Sequence, residues 1–524
     1  MTSIADLLSR YDRPDACVAR LLCDDHPDGD VAFTVVESDL TSRDLTFGEL
    51  RDASARFATA LAELGVGRGD RVATLMAKSA DFVVAVLGIW RLGAVQVPLF
   101  TAFAPPAIET RVGGVRVVIT DPNQRAKLDQ VPGERRVIVT GEASGNDLAF
   151  ADLLRADPQP EPVAVGGDGT IVELFTSGTT GAPKGVPIRA RALAAIRMYQ
   201  EYGLDQRPED VFWNAADPGW AYGLYYAVIG PLALGQRSLL LHAGFAPELT
   251  YAVLERFGVT NFTAGPTVYR ALRNADAPVP DGLRLRHCSS AGEPLNPDVI
   301  EWAEKAFGVP IRDHYGQTEL GMVIANGWHP DVYGELRPGS MGRALPGWQA
   351  EVLRPDADEI AAPGEQGRVA IDLHESPLMW FTGYRDAPDR TAERFSADGR
   401  WYLTGDVATK SPDGYFTFAS RDDDVILMAG YRIGPFEVES VLLQHDAVAE
   451  AAVVGLPDEL RGEVLAAFVV LRPGAEPGEA LVTELQQLVK TKFAAHAYPR
   501  QVHFVDELPK TPSGKLQRFL LRKN

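Results

Sequence analysis

Residues 174–187 read LFTSGTTGAPKGVP. Within them, Thr176 to Gly185 hold four hydroxyl side chains, three glycines and one lysine. Glycines let backbone N–H groups approach an anion closely, hydroxyls add donors, and a lysine adds charge, so the stretch suits phosphate. It is not a Walker A loop. That pattern needs Gly-Lys-Ser/Thr, whereas here Pro183 precedes Lys184 and Gly185 follows it. A surface loop rich in turn residues has the same composition, so composition alone leaves both readings open.

Outward from the loop, IVELFT reads as a short buried strand and GGDGT (Gly166 to Thr170) as a flexible entry to it. The loop thus begins where a strand ends, the usual place for ligands in α/β sheets. Further upstream, Thr46 and Glu49 form a T-x-x-E capping box. Ala53, Phe57, Ala60, Leu61 and Leu64 follow at helical spacing, and Gly65 is the stop. DRVATLMA reads as a strand, Asp81 to Leu92 as a helix and GAVQVPL as a strand, and the alternation continues through VRVVITD and RRVIVTG. That order predicts a parallel sheet covered by helices.

Downstream, Trp401 to Arg421 reads as a hairpin with Asp413-Gly414 at its turn. After Arg421 the chain rebuilds a small α/β unit of about a hundred residues, enough for a small domain. The fold class is α/β: a large N-terminal domain of helix-covered sheets over 1–422 and a small C-terminal α/β domain over 423–524. The boundary falls in RDDD (Arg421 to Asp424).

The chain has 524 residues, with 51 basic against 71 acidic side chains and a net charge of −20. That balance argues against nonspecific attraction to nucleic acid or anionic membranes, and any phosphate site must be built locally against it. The cysteines are Cys17, Cys23 and Cys288, without zinc spacing and odd in number, as in a cytoplasmic enzyme with reduced thiols. Charges at Asp6, Arg10, Asp12, Arg13, Asp15 and Arg20 do not fit a signal peptide. The apolar run Pro218 to Gly235 falls short of the ~20 residues that span a bilayer, and reads as buried core.

Six motifs stand in order: TSGTTGAPKG (Thr176), SSAGEPL (Ser289), DHYGQTELG (Asp313), YLTGD (Tyr402), SRDDDVILMAGYRIGPFEVE (Ser420) and KTPSGK (Lys510). Together they resemble the acyl-adenylate-forming superfamily, and NAADPGWAYGLYYAVIGPLALG (Asn214 to Gly235) looks most like its medium-chain acyl-CoA synthetases. The resemblance implies a two-step reaction. A carboxylate attacks the α-phosphate of ATP to give acyl-AMP and pyrophosphate; then a thiol, CoA, attacks the acyl carbon. The first step brings one anion onto another, so it calls for positive charge and Mg²⁺.

By the same resemblance, Thr176, Ser177, Gly178, Thr179, Thr180, Gly181 and Lys184 hold the β- and γ-phosphates. Thr318 bonds the α-phosphate, and Glu319 holds Mg²⁺, a hard cation that prefers oxygen. Tyr315 faces adenine, Asp313 accepts from its amine, and the backbone of Ala291, Gly292 and Glu293 lines the other edge. Asp406 takes the ribose hydroxyls, with Arg421 at the ribose and Arg432 on the phosphate side. Lys515 is the catalytic cation of the first step, Asp423 the hinge, and Gly430 the point where the pantetheine arm passes the backbone.

For the acid, Gly316 stands where acetyl-specific relatives carry tryptophan, which implies a deeper pocket. Trp220, Tyr222, Gly265 and Met322 shape its walls, although Trp220 by itself equally fits plain core. WAYG contains no carboxylate for an α-amine, so an acid with an uncharged tail is favoured: medium-chain, aryl or alicyclic. Chain length is not readable, since one methylene is worth about 1–3 kcal/mol in an apolar pocket.

His287, Cys288 and His314 read as packing residues. Two departures from the family pattern, Ala497 in place of a lysine and the shortened RVGGVR (Arg111 to Arg116), read as surface drift. They leave a second reading, in which acyl-AMP passes to an acyl carrier protein or a partner enzyme. A third reading is a weakly catalytic nucleotide- or acyl-binding sensor on the same fold.

Overall fold

A computed structural model describes residues 2–159, 161–176, 183–428, 431–458, 462–494, 496–511 and 516–523, without the side chains of Tyr431 and Arg432. It is a mixed α/β structure in which the described residues form sheets of seven, thirteen and five strands. The capping box at Thr46 and Glu49 opens the helix Phe47–Glu63 with both reciprocal bonds made, and Gly65 leaves it at φ +84°.

In the seven-stranded sheet, strands Arg71–Leu75, Val95–Pro98, Val115–Thr120, Arg136–Val139 and Thr170–Thr176 are parallel, as the alternation predicts. The edge differs from that expectation. Thr170–Thr176 pairs antiparallel with Lys184–Arg189, with Thr176 opposite Lys184, so this edge of the sheet is not parallel. Pro187 explains why the second strand was not legible: a residue without an N–H belongs on an edge strand, and this strand is the sheet's edge.

The thirteen-stranded sheet is parallel from Val31–Glu37 through Ile311–Gln317 and antiparallel beyond. Trp401–Lys410 and Phe416–Arg421 pair antiparallel as expected, placing Asp406 opposite Arg421. The apolar run after Pro218 is buried helix from Tyr222 to Ala233. Among the described residues no helix is long and apolar enough to cross a membrane.

The five-stranded sheet is built from the last hundred or so residues: Ile426–Met428, Tyr431–Ile433, Val448–Asp458, Gly462–Leu471 and Gln501–Phe504. Its helices Pro435–Leu442 and Glu479–Lys492 bury an apolar cluster of their own. Ala497 belongs to that cluster at 0% exposure, which corrects its reading as a surface position. Arg111 likewise is buried, its guanidinium 4.4 Å from the Phe103 ring centroid. The three cysteines are free and buried.

Candidate active site

Strands His287–Ala291 and Ile311–Gln317 run parallel with Ser290 beside Asp313, so Gly292 and Tyr315 emerge together at their carboxyl ends. There they line an open cleft of about 1670 Å³. Tyr315 donates to Asp406 Oδ2 at 2.5 Å, and Gln317 Nε2 donates to the same oxygen at 2.7 Å. Tyr402 in turn donates to Gln317 Oε1 at 3.2 Å, which fixes which way that amide faces. Arg421 Nε lies 3.5 Å from Asp406 Oδ1, and that carboxylate raises the guanidinium's pKa. The result is a carboxylate held from one side, with its second oxygen turned toward a cation.

Asp313 is buried at the cleft floor. Oδ2 accepts from Leu295 N at 3.4 Å, while Oδ1 has no partner among the described residues. Burial pushes its pKa up to about 8. An orphaned carboxyl oxygen facing a cleft is a site for an amine donor. Gly292 adopts φ +103°, and a Cβ on it would lie 3.1 Å from the Trp220 ring, so glycine lets the backbone and the indole meet. Glu293 is held by Arg270 Nη2 at 2.8 Å.

Glu319, in the same lining, accepts from Tyr384 Oη at 2.7 Å. Arg394 Nε donates to that same phenol oxygen at 3.1 Å, and Lys184 Nζ sits 4.9 Å from the Tyr384 ring centroid. Thr318 begins the turn after Gln317, where its carbonyl accepts from Tyr225 Oη at 3.0 Å.

Residues 23–379 match the family model described as AMP-binding enzyme, and residues 437–515 match AMP-binding enzyme C-terminal domain. The chain belongs to the AMP-binding enzyme family. It is 38% identical to the acetyl-coenzyme A synthetase of Bacillus subtilis, over 91% of this chain and 84% of that protein. It is 36% identical to the mitochondrial acyl-coenzyme A synthetase ACSM3 of Mus musculus, with the same coverages of 91% and 84%. Among solved structures, an acyl-CoA synthetase of Brucella canis is 45% identical at a TM-score of 0.75, covering 100% of this chain and 99% of that one. A benzoate CoA ligase of Burkholderia xenovorans LB400 is 31% identical at a TM-score of 0.85, covering 97% and 99%. The protein is therefore an AMP-forming acid–thiol ligase of the acyl-CoA synthetase type, with ATP and CoA as co-substrates.

In this AMP-binding enzyme the motif residues Thr176, Lys184, Gly292, Glu293, Asp313, Tyr315, Thr318, Glu319, Asp406 and Arg421 all line the one cleft, as does Asp423. Ala291 is fully buried at the end of its strand, off the lining. Ser177, Gly178, Thr179, Thr180, Gly181, Gly430 and Lys515 lie outside the described residues, as does the side chain of Arg432. Residues on both sides of 512–515 are part of the lining, Lys510 and Thr511 before it and Leu516 and Gln517 after it.

Of the expected acyl-pocket residues, Trp220 and Gly316 line the cleft; Tyr222, Gly265 and Met322 do not. Tyr222 is fully buried and engaged instead in a chain from its hydroxyl to Tyr199 at 3.2 Å, and from Tyr199 to His314 Nδ1 at 2.6 Å. That chain bears out packing roles for His314. Gly316 has a backbone reason of its own: a Cβ there would lie 2.1 Å from the Gly321 carbonyl oxygen across the hairpin.

Sequence reasoning did not single out Gln317, Tyr384, Arg394 or Glu173. Glu173 is 2% exposed in the loop's own strand, receiving Arg71 Nη2 at 3.1 Å and Arg385 Nη1 at 2.7 Å. Arg385 N also bonds Gly185 O at 2.9 Å, so this ion triad ties the antiparallel edge pair to the segment that carries Tyr384. The signal was present: a lone carboxylate inside the apolar run IVELFT needs a partner.

Proposed function

We propose that the enzyme converts a medium-chain, aryl or alicyclic carboxylic acid to its acyl-AMP, releases pyrophosphate and transfers the acyl group to CoA in the cytoplasm. The observation that carries this reading is the polarity of the cleft. A hydrogen-bonded carboxylate and an aromatic face stand in one cluster of the lining, at Asp406 and Tyr315, and cations flank Glu319 in a second. In the same lining, Trp220 and Gly316 offer an uncharged wall. Adenosine fits the first cluster, the triphosphate the second, and an apolar acyl tail the wall.

In this reading Tyr315 stacks on adenine while Asp313 Oδ1 accepts its amine and the Gly292 backbone lines the edge. Asp406 accepts from the ribose hydroxyls with Arg421 beside it. Thr318 orients the α-phosphate, and Thr176 and Lys184 bracket the β- and γ-phosphates. The acid's carboxylate oxygen attacks the α-phosphorus as the bond to the α,β-bridging oxygen breaks, and the electron pair leaves with pyrophosphate. Lys515 stabilises the charge on the carboxylate and α-phosphate.

Glu319 would hold Mg²⁺. One buried carboxylate in the second cluster suits an ion that takes one or two carboxylates and completes its shell with phosphates and water. The metal supplies charge neutralisation at the phosphates; Tyr384 keeps the Glu319 carboxylate in place. A mobile domain from Asp423 onward brings Lys515 to the site for the first step and Gly430 for the second, with the hinge beside Arg421.

The test is a panel of acids from acetate to dodecanoate, with aryl and alicyclic members, incubated with ATP and Mg²⁺ with and without CoA. Acyl-AMP and acyl-CoA are both quantified by mass. Acyl-CoA formed only with CoA, and best from the longer or cyclic acids, is the expected result. Acetate as the best substrate would overturn the acid class, and acyl-AMP persisting with CoA would overturn the second half-reaction.

A further inference from the structure

We propose that Arg394, assisted by Arg390, is a second binding group for the terminal phosphate of ATP and of the leaving pyrophosphate, across Tyr384 from Lys184. The proposal rests on the nucleotide reading of the cleft above.

Both arginines line the cleft with Lys184, Tyr384 and Glu319. Tyr384 organises the group. Its ring lies beneath Lys184 Nζ, its hydroxyl donates to Glu319, and its oxygen accepts from Arg394 Nε. One side chain thereby fixes two cations and one carboxylate around the same space. Arg394 is further pinned by Nη1, which donates to Thr404 O at 3.0 Å. Gly405, at φ +75°, makes room for it: a Cβ there would lie 2.5 Å from Nη1. Nη1 also donates to Leu403 O at 3.5 Å, which leaves Nη2 as the donor without a hydrogen-bond acceptor among the described residues.

Charge supports the same conclusion. Among the described residues neither Lys184 nor Arg394 forms an ion pair with a carboxylate, in a chain that carries 71 acidic side chains. Burial lowers the Lys184 pKa first, and Arg394 and Arg390 lower it further. Arg390 is more exposed and leans on Glu393 at 3.3 Å, a weak surface pair that an incoming phosphate can outcompete. Three cations that repel one another around a cleft form a site that becomes favourable only when an anion enters. A guanidinium fork matches phosphate geometry better than an ammonium does. As the α,β-bridging bond breaks, negative charge grows on pyrophosphate, so these contacts strengthen along the reaction.

The experiment measures binding of inorganic pyrophosphate and of AMP, together with the KM for ATP, in the full-length enzyme. Arg394→Met is expected to weaken pyrophosphate and raise the KM for ATP about tenfold, leaving AMP within about twofold. Arg390→Glu reverses a charge on an exposed side chain without touching the core; it is expected to weaken pyrophosphate about fivefold with AMP again unchanged. If Arg394→Met does not fold, Arg390→Glu decides by the same criterion. Pyrophosphate affinity unchanged in the folded variants, or AMP affinity falling in step with it, overturns the proposal. Failure of the unmodified enzyme to bind AMP would instead sink the nucleotide reading on which it rests.

Discussion

At the proposed nucleoside site, Asp406 already receives Tyr315 and Gln317 and faces Arg421. At the proposed phosphate site, Lys184 and Arg394 flank Tyr384 without a paired carboxylate among the described residues. Both groups are organised by hydrogen bonds internal to the protein, so their geometry is set before any ligand arrives. They differ in charge: Arg421 faces Asp406, whereas Lys184 and Arg394 are left for the ligand to balance. A nucleoside is neutral and must be recognised by shape and by oriented donors and acceptors. A triphosphate is recognised by charge, and an uncompensated cation attracts it more strongly than one already paired.

The largest expected effect comes from removing charge at the proposed phosphate site. Glu319→Gln keeps an acceptor for Tyr384 but loses the anion, and acid-dependent ATP–pyrophosphate exchange is expected to fall by a factor on the order of 10²–10³. Asp406→Asn would sharpen the contrast by weakening AMP and ATP alike, whereas Glu319→Gln should spare AMP.

Next is the ion triad beneath the antiparallel edge pair. Glu173→Gln leaves Arg71 buried without its charge partner, and a loss of about 3 kcal/mol in unfolding free energy is expected in chemical denaturation. A loss near zero would mean that the edge pair is held by packing alone. Gly316→Ala tests the backbone explanation for that glycine. The added methyl meets the Gly321 carbonyl, and a destabilisation of about 2 kcal/mol is expected. An alanine tolerated without cost, with acid preference shifted, would return the position to the acyl pocket.

The smallest effect is a pH dependence. With its pKa near 8 in the free protein, Asp313 is largely protonated at pH 6.5, and losing that proton turns it into a charged and stronger acceptor for an amine. ATP binding should therefore strengthen as pH rises from 6.5 to 8, with the KM for ATP falling about tenfold. Asp313→Asn retains an acceptor oxygen without a proton to lose, and should flatten the profile.

Local signals carried much of the fold. The Thr46–Glu49 box, the alternating strands before residue 140 and the Trp401–Arg421 hairpin were readable because short-range periodicity and turn chemistry determine them. The Lys184–Arg189 strand was not, because Pro187 obscures an edge strand whose pairing is decided by its neighbour. Within the site, residues inside motifs were legible and their supports were not. Tyr384, Arg394 and Gln317 acquire their roles from contacts between segments distant in sequence, such as the 65 positions separating Tyr384 from Glu319. Ala497 shows the same limit from the other side, because burial of one alanine depends on how two helices and a sheet close over it.

The most direct measurement of the central claim is incorporation of labelled pyrophosphate into ATP by the unmodified enzyme, with and without a carboxylic acid and in the absence of CoA. The account predicts exchange that requires the acid and Mg²⁺ and needs no thiol. Exchange that is absent across the acid panel, or that proceeds equally well without any acid, would contradict it.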